Sequence, residues 1–369
     1  MSTKRAHVSL AFASLLAVTG NACSSSGSGE STPHDGGHST THDSDGGSTT
    51  TSDDAGTGTT TADGGTDTAG VECNYSYSAY NSSASVKLTS TSKWSCTSTE
   101  RSLVANGIPD HSVGTFPNSN NPNTISAQSV SASMTLTPVN KGTSTSLTVG
   151  GVGYAFNGVK FDPSTAGTCA SSDAGGACTL IGNDGTWNIE ALGQSSFNFG
   201  VDSNNAHVQP TGAYHYHGIP EGVLTKLNKG MTPTLVGYAL DGFPVYARYG
   251  YSSPMDATSS VVVMKGSYKT KTTPDPGRPS TATYPLGAFT QDYEYVAGSG
   301  DLDDCNGRTD VTPEFPNGIY HYYITDTYPF IQRCVKGTAM GGSEGGGMPG
   351  DGGMMGPPPK LDGGPPPGH

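Results

Sequence analysis

A seven-residue pattern, P-x-G-x-Y-H-Y, occurs twice in the chain, at residues 210–216 and again at 316–322. In both copies tyrosine and histidine alternate, and alternate side chains of an extended strand project to opposite faces. A helix would spread the same residues around its circumference. The pattern therefore predicts two strands of like construction, each with tyrosines packed to one side and histidine on the other. The first copy runs on to His217, so His215 and His217 share a face. The second runs on to Tyr323, which leaves His321 alone.

Composition supports a strand-based fold. Among 369 residues there are 53 Gly and 25 Pro, only 33% are hydrophobic and only 13% charged. Such a chain is rich in turns and poor in helix formers. The expected class is mainly β, a single disulfide-stapled β-sandwich or jelly-roll-like domain with long loops and disordered termini. A formal charge of −13 without any Lys/Arg stripe argues against a nucleic-acid partner.

The termini read as address and tether. Lys4 and Arg5 precede an apolar run at residues 8–18 and small residues up to Ala22, which predicts a signal peptide over 1–22. Cys23 then opens a Ser-rich stretch and is the expected lipidation site, with a membrane reached through an N-terminal lipid anchor. Without lipid on Cys23 the same leader predicts a secreted protein. Residues 23–70 are Ser, Thr, Gly and Asp, too apolar-poor to order, and form the expected tether. His34, His38 and His42 recur within it as polar filler or a weak metal tract. The folded domain is expected over 71–336, and 337–369 is expected as a disordered Gly/Pro/Met-rich tail. Met340, Met348, Met354 and Met355 there offer thioethers of the kind Cu(I) takes.

If Cys23 carries lipid, six cysteines remain, an even set suited to an oxidising compartment. Proximity pairs Cys73 with Cys96, Cys169 with Cys178, and Cys305 with Cys334, although six cysteines permit many connectivities.

Between these cysteines the local signals are mostly strands and turns. Residues 87–96 and 130–136 have strand patterning. Asn157-Gly158 separates two short apolar runs as a hairpin, and Asp241-Gly242-Phe243-Pro244 turns between strands at 235–240 and 245–249. Residues 221–228 carry a helical spacing that stops at Gly230, and residues 187–192 are expected to form a helical turn. Residues 106–123 hold three Pro-centred turns, which leaves His111 facing either a site or solvent. The acidic loop at 301–308 invites calcium but fails the EF-hand pattern, with Cys305 at a ligand position.

The site candidates follow from the histidines. Two imidazoles from one strand and a third from another can hold Zn, Cu or Fe. The candidate ligands are His215, His217, His321 and His207, with Asp202, Asp241 and Glu221 as neighbours for a fourth position or a general base. His215-x-His217-x-x-x-Glu221 also matches the first metal motif of cupins, and Pro316-x-Gly318-x-x-His321 the core of the second, but Thr325 stands where cupins carry Asn. That likeness is one of site geometry. Three readings compete: a metal-binding surface domain, a metal-dependent hydrolase or oxidase with Asp241 or Glu221 as base, and a structural or adhesive module whose histidines are core. There is no G-x-S-x-G and no phosphate-binding P-loop.

Taken together, several motifs in one order resemble the YHYH-domain family. They are Asn106-Gly-Ile-Pro-Asp-His111, Phe116-Pro-Asn118, Tyr214-His-Tyr-His217, Gly237-Tyr-Ala-Leu-Asp-Gly-Phe-Pro-Val-Tyr246, Leu302-Asp-Asp-Cys-Asn-Gly-Arg308 and Gly318-Ile-Tyr-His-Tyr322. The resemblance implies an exported bacterial or algal protein, here a lipoprotein, and brings no established activity. The chain departs from the pattern at Met231, where relatives often carry His, and at Tyr323.

Overall fold

The computed structural model describes residues 73–344, apart from 148–150, 164–166 and 183. The expected signal peptide, Cys23, the tether with its three histidines, and the tail beyond Glu344 with Met348, Met354 and Met355 lie outside the described residues. Within the described residues no helix is long and apolar enough to cross a membrane.

The elements that place the site are, in chain order, β1 (Tyr75–Asn81), β2 (Leu88–Cys96), β3 (Glu100–Ala105), β4 (Val130–Thr135), β5 (Gly153–Ala155), β6 (Lys160–Phe161), β7 (Ala206–Val208), β8 (Tyr214–Tyr216), α1 (Glu221–Leu227), β9 (Thr234–Ala239), β10 (Pro244–Ala247), β11 (Gly307–Asp310), β12 (Ile319–Ile324) and β13 (Gly342–Glu344). The fold is mainly β, as expected. A five-stranded sheet has the order β1-β2-β3-β4-β13, and an eight-stranded sheet the order β7-β8-β6-β5-β9-β10-β12-β11.

The two sheets share a core in which Trp94, Leu103 and Met134 of the first meet Tyr154, Tyr238 and Tyr323 of the second. The opposite face of the eight-stranded sheet buries Phe161, Tyr214, Tyr216, Val245, Tyr322 and Ile324, closed in part by Val223 of α1. The heptad tyrosines at 214, 216, 320 and 322 all belong to this second core, as the alternation predicts.

Two tight turns set how the sheets meet. Gly158 (φ +79°) ends β5 and its missing Cβ would fall 2.2 Å from the Ala105 Cβ on β3. Gly242 (φ +90°) does the same between β9 and β10, with the Thr135 carbonyl oxygen of β4 at 2.3 Å. A side chain at either position meets both a left-handed backbone and a wall. Gly158→Ala and Gly242→Ala are each expected to cost about 2–5 kcal/mol, the sum of the conformational penalty and overpacking. Urea unfolding of each variant checks this, and an unchanged midpoint would show that the turns do not key the sheets together.

All three disulfides join the cysteines that proximity pairs: Cys73–Cys96, Cys169–Cys178 and Cys305–Cys334. The expected helix forms as α1 and is capped by Asn228, which takes the left-handed conformation and donates its N–H to the Leu224 carbonyl. The expected helical turn at 187–192 does not form. Trp187–Asn188 is a strand paired with Thr168–Cys169, because Trp187 is drawn onto Phe289 and so short a run cannot propagate a helix. The ordered chain also passes the expected boundary at residue 336: Gly337 donates its N–H to Asp241 Oδ2, and β13 pairs with β4.

Candidate metal centre

Three imidazoles converge on the β7–β8 hairpin. The antiparallel register sets His207 opposite His215, and His217 follows two residues on, on the same face. His215 Nε2 lies 2.9 Å from His217 Nε2, which lies 3.0 Å from His207 Nε2. All three rings are buried. Metal–nitrogen bonds of about 2.0–2.1 Å at angles between about 90° and about 109° hold their nitrogens about 2.8–3.4 Å apart. The hairpin thus presents its donors at close to the separation that a bound ion requires.

Proton placement makes the cluster unfavourable on its own. His207 Nδ1 faces the Phe199 carbonyl at 3.2 Å and His215 Nδ1 the Ala213 carbonyl at 3.2 Å. A carbonyl only accepts, so both Nδ1 atoms carry hydrogen and both neutral rings turn a bare lone pair towards His217. His217 Nε2 can donate to one of them at most, which leaves one close contact between lone pairs. Protonation is a poor remedy. Burial pushes His207 down to about 4, and burial together with the neighbouring imidazoles holds His215 and His217 well below the usual histidine range. A metal ion would supply the missing positive centre, and the Nδ1–carbonyl contacts are of the kind that orient metal-binding histidines.

Two further charges attend the cluster. Asp162 is buried beside Lys160, with Nζ to Oδ2 3.0 Å. Although burial alone would raise the Asp162 carboxyl, the Lys160 ammonium and the His215 and His217 rings hold it well below the usual range. Sequence reasoning missed both residues. β6 is only two residues long, too short for periodicity to show that Lys160 pairs beside His215.

The other candidates lie elsewhere. His321 is fully buried on β12 with its Nε2 2.9 Å from Asp310 Oδ1, a close contact without the alignment of a hydrogen bond. Asp241 accepts from the Tyr322 hydroxyl at 2.6 Å and from the Gly337 N–H at 2.9 Å. Burial raises its carboxyl, against the pull of those bonds. Glu221 is paired with Arg248, which also binds Asp326. Asp202 accepts the Tyr214 hydroxyl at 2.8 Å on the tyrosine face. His111 sits on that face too, its Nε2 2.6 Å from the Tyr216 hydroxyl. It borders a cleft of about 560 Å³ lined also by Tyr80, Asp110, Asn204, Glu221 and Lys226. None of the three clustered histidines lines that cleft.

A family model described as YHYH protein matches residues 131–337. The chain belongs to the YHYH family. The match spans more than half of the chain and takes in both heptads, the two Gly-turn hairpins and the histidine cluster, while residues 106–118 fall outside it. Neither the curated proteins nor the solved structures contain a match to the chain.

In this YHYH chain the heptads are one part of a larger duplication. The eight-stranded sheet reads the same from either edge. An antiparallel hairpin (β7–β8) bonds in parallel to a second hairpin (β6–β5), which meets β9, and the series then runs back through β10 and β12 to β11. Gly153-Tyr-Ala-Phe-Asn-Gly158 corresponds to Gly237-Tyr-Ala-Leu-Asp-Gly242, and Asp202-Ser-Asn-Asn-Ala-His207 to Asp303-Asp-Cys-Asn-Gly-Arg308. The bonds correspond as well. The Tyr214 hydroxyl donates to Asp202 Oδ2 at 2.8 Å and that of Tyr320 to Asp303 Oδ2 at 2.9 Å. His217 N–H reaches the Asn205 carbonyl at 2.8 Å, and Tyr323 N–H the Asn306 carbonyl at 2.9 Å. The acidic loop at 301–308 is therefore the second copy of the Asp202 turn, with Asp303 accepting from Cys305 and Gly307 N–H groups.

Proposed function

We propose that this YHYH protein is an exported metal-binding domain that holds one transition-metal ion, Zn, Cu or Fe, on His207, His215 and His217. The observation that carries the reading is the convergence of three buried Nε2 atoms, two of them shown by their Nδ1 partners to be bare lone pairs. A histidine-only donor set suits those metals and not calcium or magnesium. The hydrolase or oxidase reading needs an open coordination position on a cleft. It is less well supported: His215 is fully buried, the cleft is lined by other residues, and both proposed bases are engaged elsewhere. The structural-module reading leaves the close lone-pair contact unexplained.

Export rests on the signal-like leader and on three disulfides, which form and persist in oxidising compartments. Anchoring rests on Cys23 as the lipidated residue.

Elemental analysis of the natively purified chain tests the metal reading. About one equivalent of Cu, Zn or Fe is expected, and the His215→Ala/His217→Ala variant is expected to retain none. Metal-free protein whose melting does not move on addition of any of these ions would sink the proposal.

A further inference from the structure

The duplication shows what the second half places where the first half gathers its histidines. In the register of β11 and β12, Arg308 lies opposite His321 as His207 lies opposite His215. Tyr323 then takes the position of His217, since each follows the histidine of its own strand by two and bonds the equivalent Asn carbonyl. His321 keeps the orientation of His215, with Nδ1 on the carbonyl two residues earlier in both, Ile319 at 3.0 Å and Ala213 at 3.2 Å. The second triad is therefore Arg308, His321 and Tyr323.

This triad also converges, but on an anion. Arg308 Nε lies 2.5 Å from Asp310 Oδ2, the Tyr323 hydroxyl 3.1 Å from the same oxygen, and His321 Nε2 2.9 Å from Oδ1. Asp310 is fully buried. Its counterpart two residues after His207 is Gln209, which lies 3.3 Å from Lys160 Nζ. The chemistry of the two foci is inverted. Arg308 and Tyr323 donate to a carboxylate that the chain provides itself, with His321 Nε2 against its other oxygen, whereas three imidazole nitrogens, two of them bare lone pairs, surround a point for which the hairpin provides no cation.

We infer that the two halves are alternative fillings of one duplicated site: the second is closed permanently by Asp310, and the first is completed only by an ion from outside. The two half-sheets accordingly take one ion rather than two, and metal dependence of stability is confined to the half built from β5 to β8. The sign of the first focus rests on the metal reading above, but the equivalence of the two foci does not.

Exchanging the triads tests this. Arg308→His/Asp310→Gln/Tyr323→His is expected to bind one equivalent of Zn(II) more than the wild-type chain, and to keep that extra equivalent when His215→Ala and His217→Ala are added. The reverse exchange, His207→Arg/Gln209→Asp/His217→Tyr, is expected to fold with all three disulfides and to melt at the same temperature with and without EDTA. A folded first exchange that binds no more Zn(II) than wild type overturns the inference. If the first exchange does not fold, the second decides: metal-independent melting supports the equivalence, and failure to fold overturns it. Wild-type protein that binds nothing, beside a first exchange that binds one ion, would instead reject the metal reading of the first half and leave the equivalence standing.

Discussion

Asp310→Asn is expected to lower the stability of the chain by about 3–5 kcal/mol, the cost of removing one partner from a buried ionic cluster. The carboxylate is fully buried and is the common partner of the Arg308 guanidinium, the His321 ring and the Tyr323 hydroxyl. Arg308 cannot give up its charge and is itself mostly buried, with a side chain 11% exposed. A neutral amide leaves that charge facing another donor, the Tyr323 hydroxyl, in a dry interior, and half of the amide is a donor as well. The loss should exceed that of an isosteric exchange which removes charge from both sides, so Asp310→Asn/Arg308→Gln is expected to recover part of the stability. Chemical denaturation of the single and double variants measures the coupling, and Glu294→Gln, at an exposed position, serves as the unaffected control. An Asp310→Asn chain as stable as wild type would mean that the second focus is not held by the carboxylate.

How far such a cluster can be read from sequence depends on the range of the interaction that builds it. The alternation in the heptads is local and period-two, and it places Tyr214, Tyr216, Tyr320 and Tyr322 in one core and the histidines on the other face. The disulfides are also short-range: each closes a small loop, so proximity pairs them correctly. Which histidines meet is a matter of strand order, and that is decided by contacts far apart in the chain. A pseudo-symmetric pairing of the two heptads points to His321 joining His215, but four strands, β6, β5, β9 and β10, separate β8 from β12 in the sheet. The third ligand comes instead from the neighbouring strand of the same hairpin. His207 stands eight residues before His215, a spacing that a short hairpin loop would bring opposite it. The repeated Gly-Tyr-Ala-x-Asn/Asp-Gly and Asp-x-x-Asn-x-His/Arg segments were equally visible, and they carry the signal that the heptads belong to two whole half-sheets. What no local pattern could show is that Lys160, from a two-residue strand, and Asp162, just beyond its end, stand beside the imidazoles.

Acid should act on the histidine cluster in two stages that the metal separates. In metal-free protein His207 is depressed from 6.5 to about 4 by burial, and His215 and His217 move in the same direction for the same first cause. The unfolded chain then binds more protons than the folded one between these values, so stability rises with pH across that window. The contribution is fully present above about 6.5 and is lost as the pH falls through about 4; for His207 alone a depression of that size corresponds to about 3 kcal/mol. Asp162, held low as well, adds its own loss only below the ordinary carboxylate range. With a metal bound, protons must displace the ion from nitrogens that resist protonation. Release is therefore expected well below pH 6.5, where exposed histidines would already have let go. Melting temperatures of the metal-loaded and the EDTA-treated chain, followed from pH 7.5 to 3.5, should stay apart down to about pH 5 and merge near pH 4. Merging near pH 6.5, or metal-free stability that is flat across the whole range, would show that the three rings are neither as dry nor as tightly gathered as their Nε2 separations require.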